Sequence, residues 1–258
     1  MLRLSVANAG YGIGAVIGPL LIIAVRPDNF PILFGGIAVV TVMLSTLTRG
    51  VHAPPLRAEQ NQRHVTMMKS QRRPILLTFI AAYVFYVAVE TSSSGWMAAQ
   101  LHGAGYSESM GTLVTAGFWA GLAIGRVVGT PLYHRSSDKT LVIGGLGLAI
   151  VLGGCAFSGL LAPYAYPLMG LVIASVFPMG LIWYTVLCPN DSDGLALMIL
   201  FMMAGGVIGP GVESLMVSVF SIHVVPLVIA AFALLDLAIF SSALRFKPLS
   251  AKAREVNP

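Results

Sequence analysis

PILLTFIAAYVFYVAVETSSSGW, residues 74–96, carries one charged side chain, Glu90. At 1.5 Å per residue, a helix of about twenty apolar residues crosses the roughly 30 Å hydrocarbon core of a bilayer. The stretch has no strand-like alternation of apolar and polar residues, so it predicts a transmembrane helix and not a barrel strand. Working outward, seven further apolar stretches of similar length bring the expected number of spans to eight, at 5–25, 30–47, 74–96, 109–132, 141–161, 164–187, 195–220 and 223–244. The fold class expected is therefore an all-α polytopic membrane bundle.

Composition agrees. Hydrophobic residues make up 57% of the 258 and charged residues 10%, and the mean hydropathy is +0.85. A soluble domain carries about a quarter charged residues. In lipid every backbone N–H and C=O must be paired within the protein, which helices achieve span by span. The net charge of +5 would suggest nucleic acid as a partner of a soluble chain. Here the basic residues sit in short loops, which marks membrane orientation and predicts no nucleic-acid partner. Cys155 and Cys188 fall within or at the end of apolar stretches and predict neither a disulfide framework nor a zinc site.

One long polar connection, 49–73, contains Arg49, Arg57, Arg63, Lys69, Arg72 and Arg73. It divides the chain into 1–48, with two spans, and 74–258, with six spans and a short tail. Placing this loop in the cytoplasm also places Arg3, Arg135, Lys139, Arg245, Lys247, Lys252 and Arg254 there, leaving Arg26 outside. The expected protein is an integral plasma (inner) membrane protein with both termini cytoplasmic. A Gly-Pro pair at the centre of the first span argues against a secretory signal.

Ala15-Val-Ile-Gly18-Pro19 in the first span echoes Gly206-Val-Ile-Gly209-Pro210 in the seventh. Each ends a series of glycines four apart, the spacing that lets helices approach closely in lipid. The two lie six spans apart, and both helices run outward. A parallel six-helix duplication explains this, pairs the first two spans with the last two, and predicts four further helices ahead of Met1.

These residues resemble the major facilitator superfamily. The Gly10-to-Pro19 stretch resembles that family's helix five, and the 49–73 loop resembles the connection between its two halves. Gly121-Leu-Ala-Ile-Gly125-Arg126, followed by Arg135 and Asp138-Lys139, resembles its connection between helices eight and nine. The chain then spans helices five to twelve of a partial two-bundle fold. The resemblance implies a secondary transporter working by alternating access, with a small-molecule solute, protons and the lipid bilayer as partners and no cofactor. Tyr86, Glu90, Gly95 and Trp96 further resemble helix seven of the sugar–proton symporter branch that includes fucose carriers. Other readings are a drug or amphiphile efflux carrier of the same superfamily and a truncated, non-transporting membrane protein. With half of a two-bundle cavity absent, the isolated chain is expected not to carry solute alone.

Glu90 is the foremost candidate for chemistry. A carboxylate at membrane depth costs about 2.5–3.5 kcal/mol on insertion scales, so it marks a cavity or a role. Tyr83, Tyr86, Ser93 and Ser94 share its helix face, which suits a hydroxylated solute beside a proton carrier. The plainer reading is a structural carboxylate bonded to a neighbouring helix. Trp96 either joins the interfacial belt or stacks on solute, and Trp183 and Tyr184 are expected in the belt. Glu213 and Asp236 are further membrane-depth acids that could pair with Arg126, Glu213 being the second candidate for solute or proton binding. Arg126 is expected to latch helices, with Asp138 or a helix end as partner. Gly18, Pro19, Gly209 and Pro210 are expected at close helix crossings. An enzyme is not expected, because no second metal ligand stands near His223 and no nucleophile–base pair or phosphate loop is present.

Overall fold

The computed structural model describes residues 29–48, 65–133 and 136–248. Gly18, Pro19, the first span and residues 49–64 of the basic connection lie outside the described residues. Among those described, the regular structure is helical: α1 Phe30–Thr48, α2 Val65–Gly103, α3 Glu108–Tyr133, α4 Asp138–Phe157, α5 Ala162–Ile173, α6 Val176–Leu187, α7 Ser192–Met202, α8 Gly205–Val219 and α9 Val225–Ala243. Six stretches are long and apolar enough to cross a membrane: Gln71–Gly103, Glu108–Val127, Asp138–Phe157, Ala162–Leu187, Ser192–Val219 and Ile222–Ala243. They match the last six expected spans. α1 matches the second and exposes the apolar side chains of Ile32, Phe34, Val39, Val42 and Met43.

Three boundaries differ from expectation. α2 begins at Val65, nine residues before Pro74, so the end of the polar connection is already helical. Met67, Met68, Lys69, Gln71, Arg72 and Arg73 are good helix formers, which explains the extension. The sixth span is two helices, α5 and α6, parted at Ala174 and Ser175. Pro178 supplies no N–H to the Ala174 carbonyl and its ring crowds that carbonyl, so the helix breaks four residues upstream. The seventh span is likewise α7 and α8, parted at Met203 and Ala204. There Gly205-Gly206, the first two residues of α8, lower helix propensity next to the break.

α2 is the central post, packing against α3, α7, α8 and α9, while α5 lies between α3 and α4, and α4 also meets α6 and α9. Glycine decides how closely these helices cross. A Cβ on Gly205 would collide with the Val84 carbonyl of α2, and one on Gly209 would stand 2.8 Å from the Ala88 Cα and 2.8 Å from Ser92 Oγ. Gly121 and Gly125 of α3 meet the backbone of Pro167 and Leu171 on α5 in the same way, and Gly170 of α5 meets Phe118. Without a hydrophobic drive between helices in lipid, such close backbone contact supplies the van der Waals attraction that holds the bundle.

Phe79 of α2, Trp183 and Tyr184 of α6, and Phe240 of α9 fill the core. Phe79 meets the other three edge-on at 5.4–5.7 Å between ring centres, and Trp183 stacks on Phe240 at 5.9 Å. Trp183 and Tyr184 are fully buried, which corrects their expected place in the interfacial belt. Both project inward from α6 onto α2, so helix rotation outweighs their closeness to the span end. Outward, Leu148, Val151, Leu200, Val207, Leu215 and Leu234 are exposed, as a lipid-facing surface requires.

Candidate functional site

Tyr86 and Glu90 stand one turn apart on α2, so their side chains share a face. Both are buried, at 1% and 8% exposure. Arg126 reaches the same place from α3. Its guanidinium charge bears on the Glu90 carboxylate, and the Tyr86 hydroxyl is adjacent to both groups. No hydrogen bond of good geometry closes at Tyr86 Oη, so the phenol neighbours the two charges without being locked to either. A carboxylate, a phenol and a guanidinium together inside a span can exchange a proton, bind hydroxyl groups and switch an internal charge pair. Arg126 thus stands within electrostatic reach of the α2 carboxylate. Asp138, the latch partner considered for it, is the first residue of α4.

The other residues of the expected α2 face are divided. The Tyr83 ring lies 6.3 Å from that of Tyr86, but its hydroxyl donates to the Phe177 carbonyl at 2.6 Å and the side chain is fully buried. Ser93 is buried with Oγ 3.6 Å from Met169 Sδ. Ser94 donates to the Thr91 carbonyl at 3.3 Å, and Trp96 is half-buried. Tyr83 thus ties α2 to the start of α6, while the Tyr86 hydroxyl stays beside Glu90 and Arg126.

Glu213, of α8, and Asp236, of α9, are fully buried. Glu213 faces Ser92 of α2 and its charge is felt by Tyr166 of α5. Tyr166 in turn reaches Gln100 of α2, with its Oη 3.5 Å from Oε1. Asp236 lies near Tyr83. Pro210 sits within α8, one residue after the Gly209 crossing. Among the described residues no group of three or more His, Cys, Asp or Glu gathers to hold a metal. A groove of about 490 Å³ between α3 and α5, lined by Met110, Leu113, Gly117, Tyr164 and Pro167, includes none of these acids.

Sequence reasoning missed a polar hub at the Arg72 end of α2. Arg72 holds Asp191 side-on, with Nε donating to Oδ2 at 2.7 Å and Nη2 to Oδ1 at 2.7 Å. Tyr184 Oη donates to the same carboxylate at 2.6 Å, and the Gly194 N–H at 2.9 Å. Asp191 thereby caps α7 while joining it to α2 and α6. A Cβ on Gly194 would strike both Asp191 and the Tyr184 hydroxyl, so the hub requires glycine there. Asp191-Ser-Asp-Gly194 before an apolar run is a readable cap signal. Arg72, 119 positions away, is not readable as its partner.

Burial alone would raise the Asp191 pKa, but Arg72, Tyr184 and the Gly194 N–H together hold it below the ordinary aspartate value. A carboxylate depressed in the folded state stabilises it above the unfolded pKa of about 3.9, and that stability is lost as pH falls through the folded value. Asp191→Ala should lower the stability of the purified protein by about 1–2 kcal/mol at neutral pH, since cap and ion pair both go. Asp191→Asn should recover the cap share alone. Thermal unfolding at pH 7 and near pH 3 measures this, and equal losses at both pH values would contradict the ion-pair contribution.

The sequence model of the Major Facilitator Superfamily matches residues 1–192. No curated protein matches the chain by sequence. Among solved structures, that described as the crystal structure of a Major Facilitator Superfamily transporter, FucP, in the outward conformation is similar, with a TM-score of 0.70 at 16% identity. The alignment covers 93% of this chain and 67% of that one. At this identity the likeness speaks to fold alone.

Proposed function

The chain belongs to the Major Facilitator Superfamily, and from that premise we propose that this membrane transporter moves a small hydroxylated, sugar-like solute with protons by alternating access. The observation that carries the reading is the buried Glu90–Tyr86–Arg126 group. A proton arriving at Glu90 neutralises the carboxylate that Arg126 faces, so the guanidinium is freed to meet solute hydroxyls, with Tyr86 adding one more donor or acceptor. Solute and proton then occupy adjoining positions, which is the requirement for coupling. Arg72 and Arg73, in the N-terminal part of α2 just ahead of Pro74, support a cytoplasmic position for that end and, with the other loop charges, cytoplasmic termini in the plasma membrane.

Membrane vesicles from cells expressing the full gene product test the proposal. An imposed inward proton gradient should drive accumulation of at least one member of a panel of hexoses, pentoses and sugar alcohols, and a protonophore should collapse it. Extrusion of amphiphilic dyes with no response to any sugar would replace the proposal with the efflux reading.

A further inference from the structure

Glu213 is a carboxylate with no exposure, and neither of its oxygens meets a hydrogen-bond partner among the described residues. Ser92, across the α2–α8 contact, is also fully buried with its Oγ unpartnered. The two helices are in backbone contact here, because Gly205 and Gly209 lie on Val84 and Ala88, so the contact leaves little room for water. From α5 comes Tyr166, a buried phenol whose Oη lies 3.5 Å from Gln100 Oε1. An ionised, uncompensated carboxylate is strongly disfavoured in such a place, because nothing there replaces its lost hydration. Among the described residues no basic side chain acts on Glu213: α2 offers Ser92, α5 the titratable Tyr166, and neither Asp236 of α9 nor His223 of the turn Ile222–Val224 acts on it.

We propose that Glu213 is a second proton-holding site, carried neutral while α8 is seated on α2 and able to exchange its proton when that contact opens. It rests on separate residues from the Glu90 group, and its existence does not depend on which solute is carried. Glu213 supplies the acid, Ser92 the nearby oxygen that can accept its hydrogen, and the Tyr166–Gln100 pair closes the polar pocket toward α5. The Gly205–Gly209 crossing is the seal. The ligand class is the proton itself, and a sodium ion at the same oxygens is the alternative that the test separates.

The test is infrared spectroscopy of the purified full protein in bilayers at neutral pH. The difference spectrum of wild type minus Glu213→Gln should contain the carbonyl stretch of a protonated carboxylic acid, displaced to lower frequency in D2O. Ser92→Ala should shift that band, and Glu90→Gln should leave it in place. Any acid band remaining in Glu213→Gln is assigned with Asp236→Asn. Loss of the symmetric and antisymmetric carboxylate stretches in Glu213→Gln would overturn the proposal, as would an acid band that disappears when sodium is added. Should Glu213→Gln fail to fold, an acid band insensitive to Ser92→Ala would overturn it equally. The Glu90 reading fails on a different measurement, the proton-driven uptake of solute.

Discussion

Glu90→Gln is expected to reduce proton-driven accumulation of solute to background while leaving equilibrium exchange within about tenfold of wild type, the factor that ~1.4 kcal/mol carries. Glutamine keeps the length and shape of the side chain and still offers an oxygen to Tyr86 and Arg126, so solute binding suffers little. It carries no titrating proton, so the link between the proton gradient and the solute is cut. Uptake driven by an imposed pH gradient, measured beside exchange at equal pH, separates the two effects. A structural carboxylate would behave otherwise: glutamine would be tolerated in both assays, and Glu90→Ala would lower the amount of folded protein. Full accumulation by Glu90→Gln would end the assignment. Tyr86→Phe is the companion variant. It removes the hydroxyl that is adjacent to Glu90 and Arg126, so it should weaken solute affinity more than coupling.

The second large effect is expected at Gly209. A leucine there must be accommodated where even a Cβ would stand 2.8 Å from the Ala88 Cα and 2.9 Å from its carbonyl oxygen. Neither backbone atom can move without displacing α2, so α8 must be pushed off the central post. Overpacking of this kind costs about 1–3 kcal/mol even where side chains can rearrange, and here the obstacle is backbone. Gly209→Leu should therefore give little folded protein, read as loss of the monodisperse peak in size-exclusion chromatography. Gly211 is the control, two residues on in the same helix with no atom near its Cβ position. Gly211→Ala should be neutral or stabilising by up to about 1 kcal/mol, because alanine is the better helix former. Equal behaviour of the two variants would remove the close crossing as the reason for glycine at 209.

The membrane bundle was legible from the chain because lipid imposes a one-dimensional rule: each span must be long, apolar and internally hydrogen-bonded, wherever it later packs. The six stretches from Gln71 to Ala243 obey it, and the isolated Glu90 drew attention to α2 as the exception to it. Glycine spacing pointed to Gly209 for a similar reason, since backbone proximity demands small residues whichever helix is the neighbour. The break at Ala174–Ser175 follows from Pro178, four residues downstream of Ala174, and the break at Met203–Ala204 adjoins the weak helix formers Gly205-Gly206, both local effects the sequence already carried.

Azimuth and partner choice were decided by the tertiary structure. A helix face can be listed from a period of 3.6, but the period does not say which neighbour it meets. Tyr83 and Tyr86 share a face, and yet one hydroxyl donates to Phe177 while the other stands by Glu90 and Arg126. Trp183 and Tyr184 lie near a span end, yet the rotation of α6 turns both into the core. Arg72 meets Asp191 across 119 positions, and Glu213 meets Ser92 only because two glycines bring α8 onto α2. Composition and period act along one chain segment, whereas pairing of charges and hydroxyls depends on distances between segments, and these exist only once the bundle has packed.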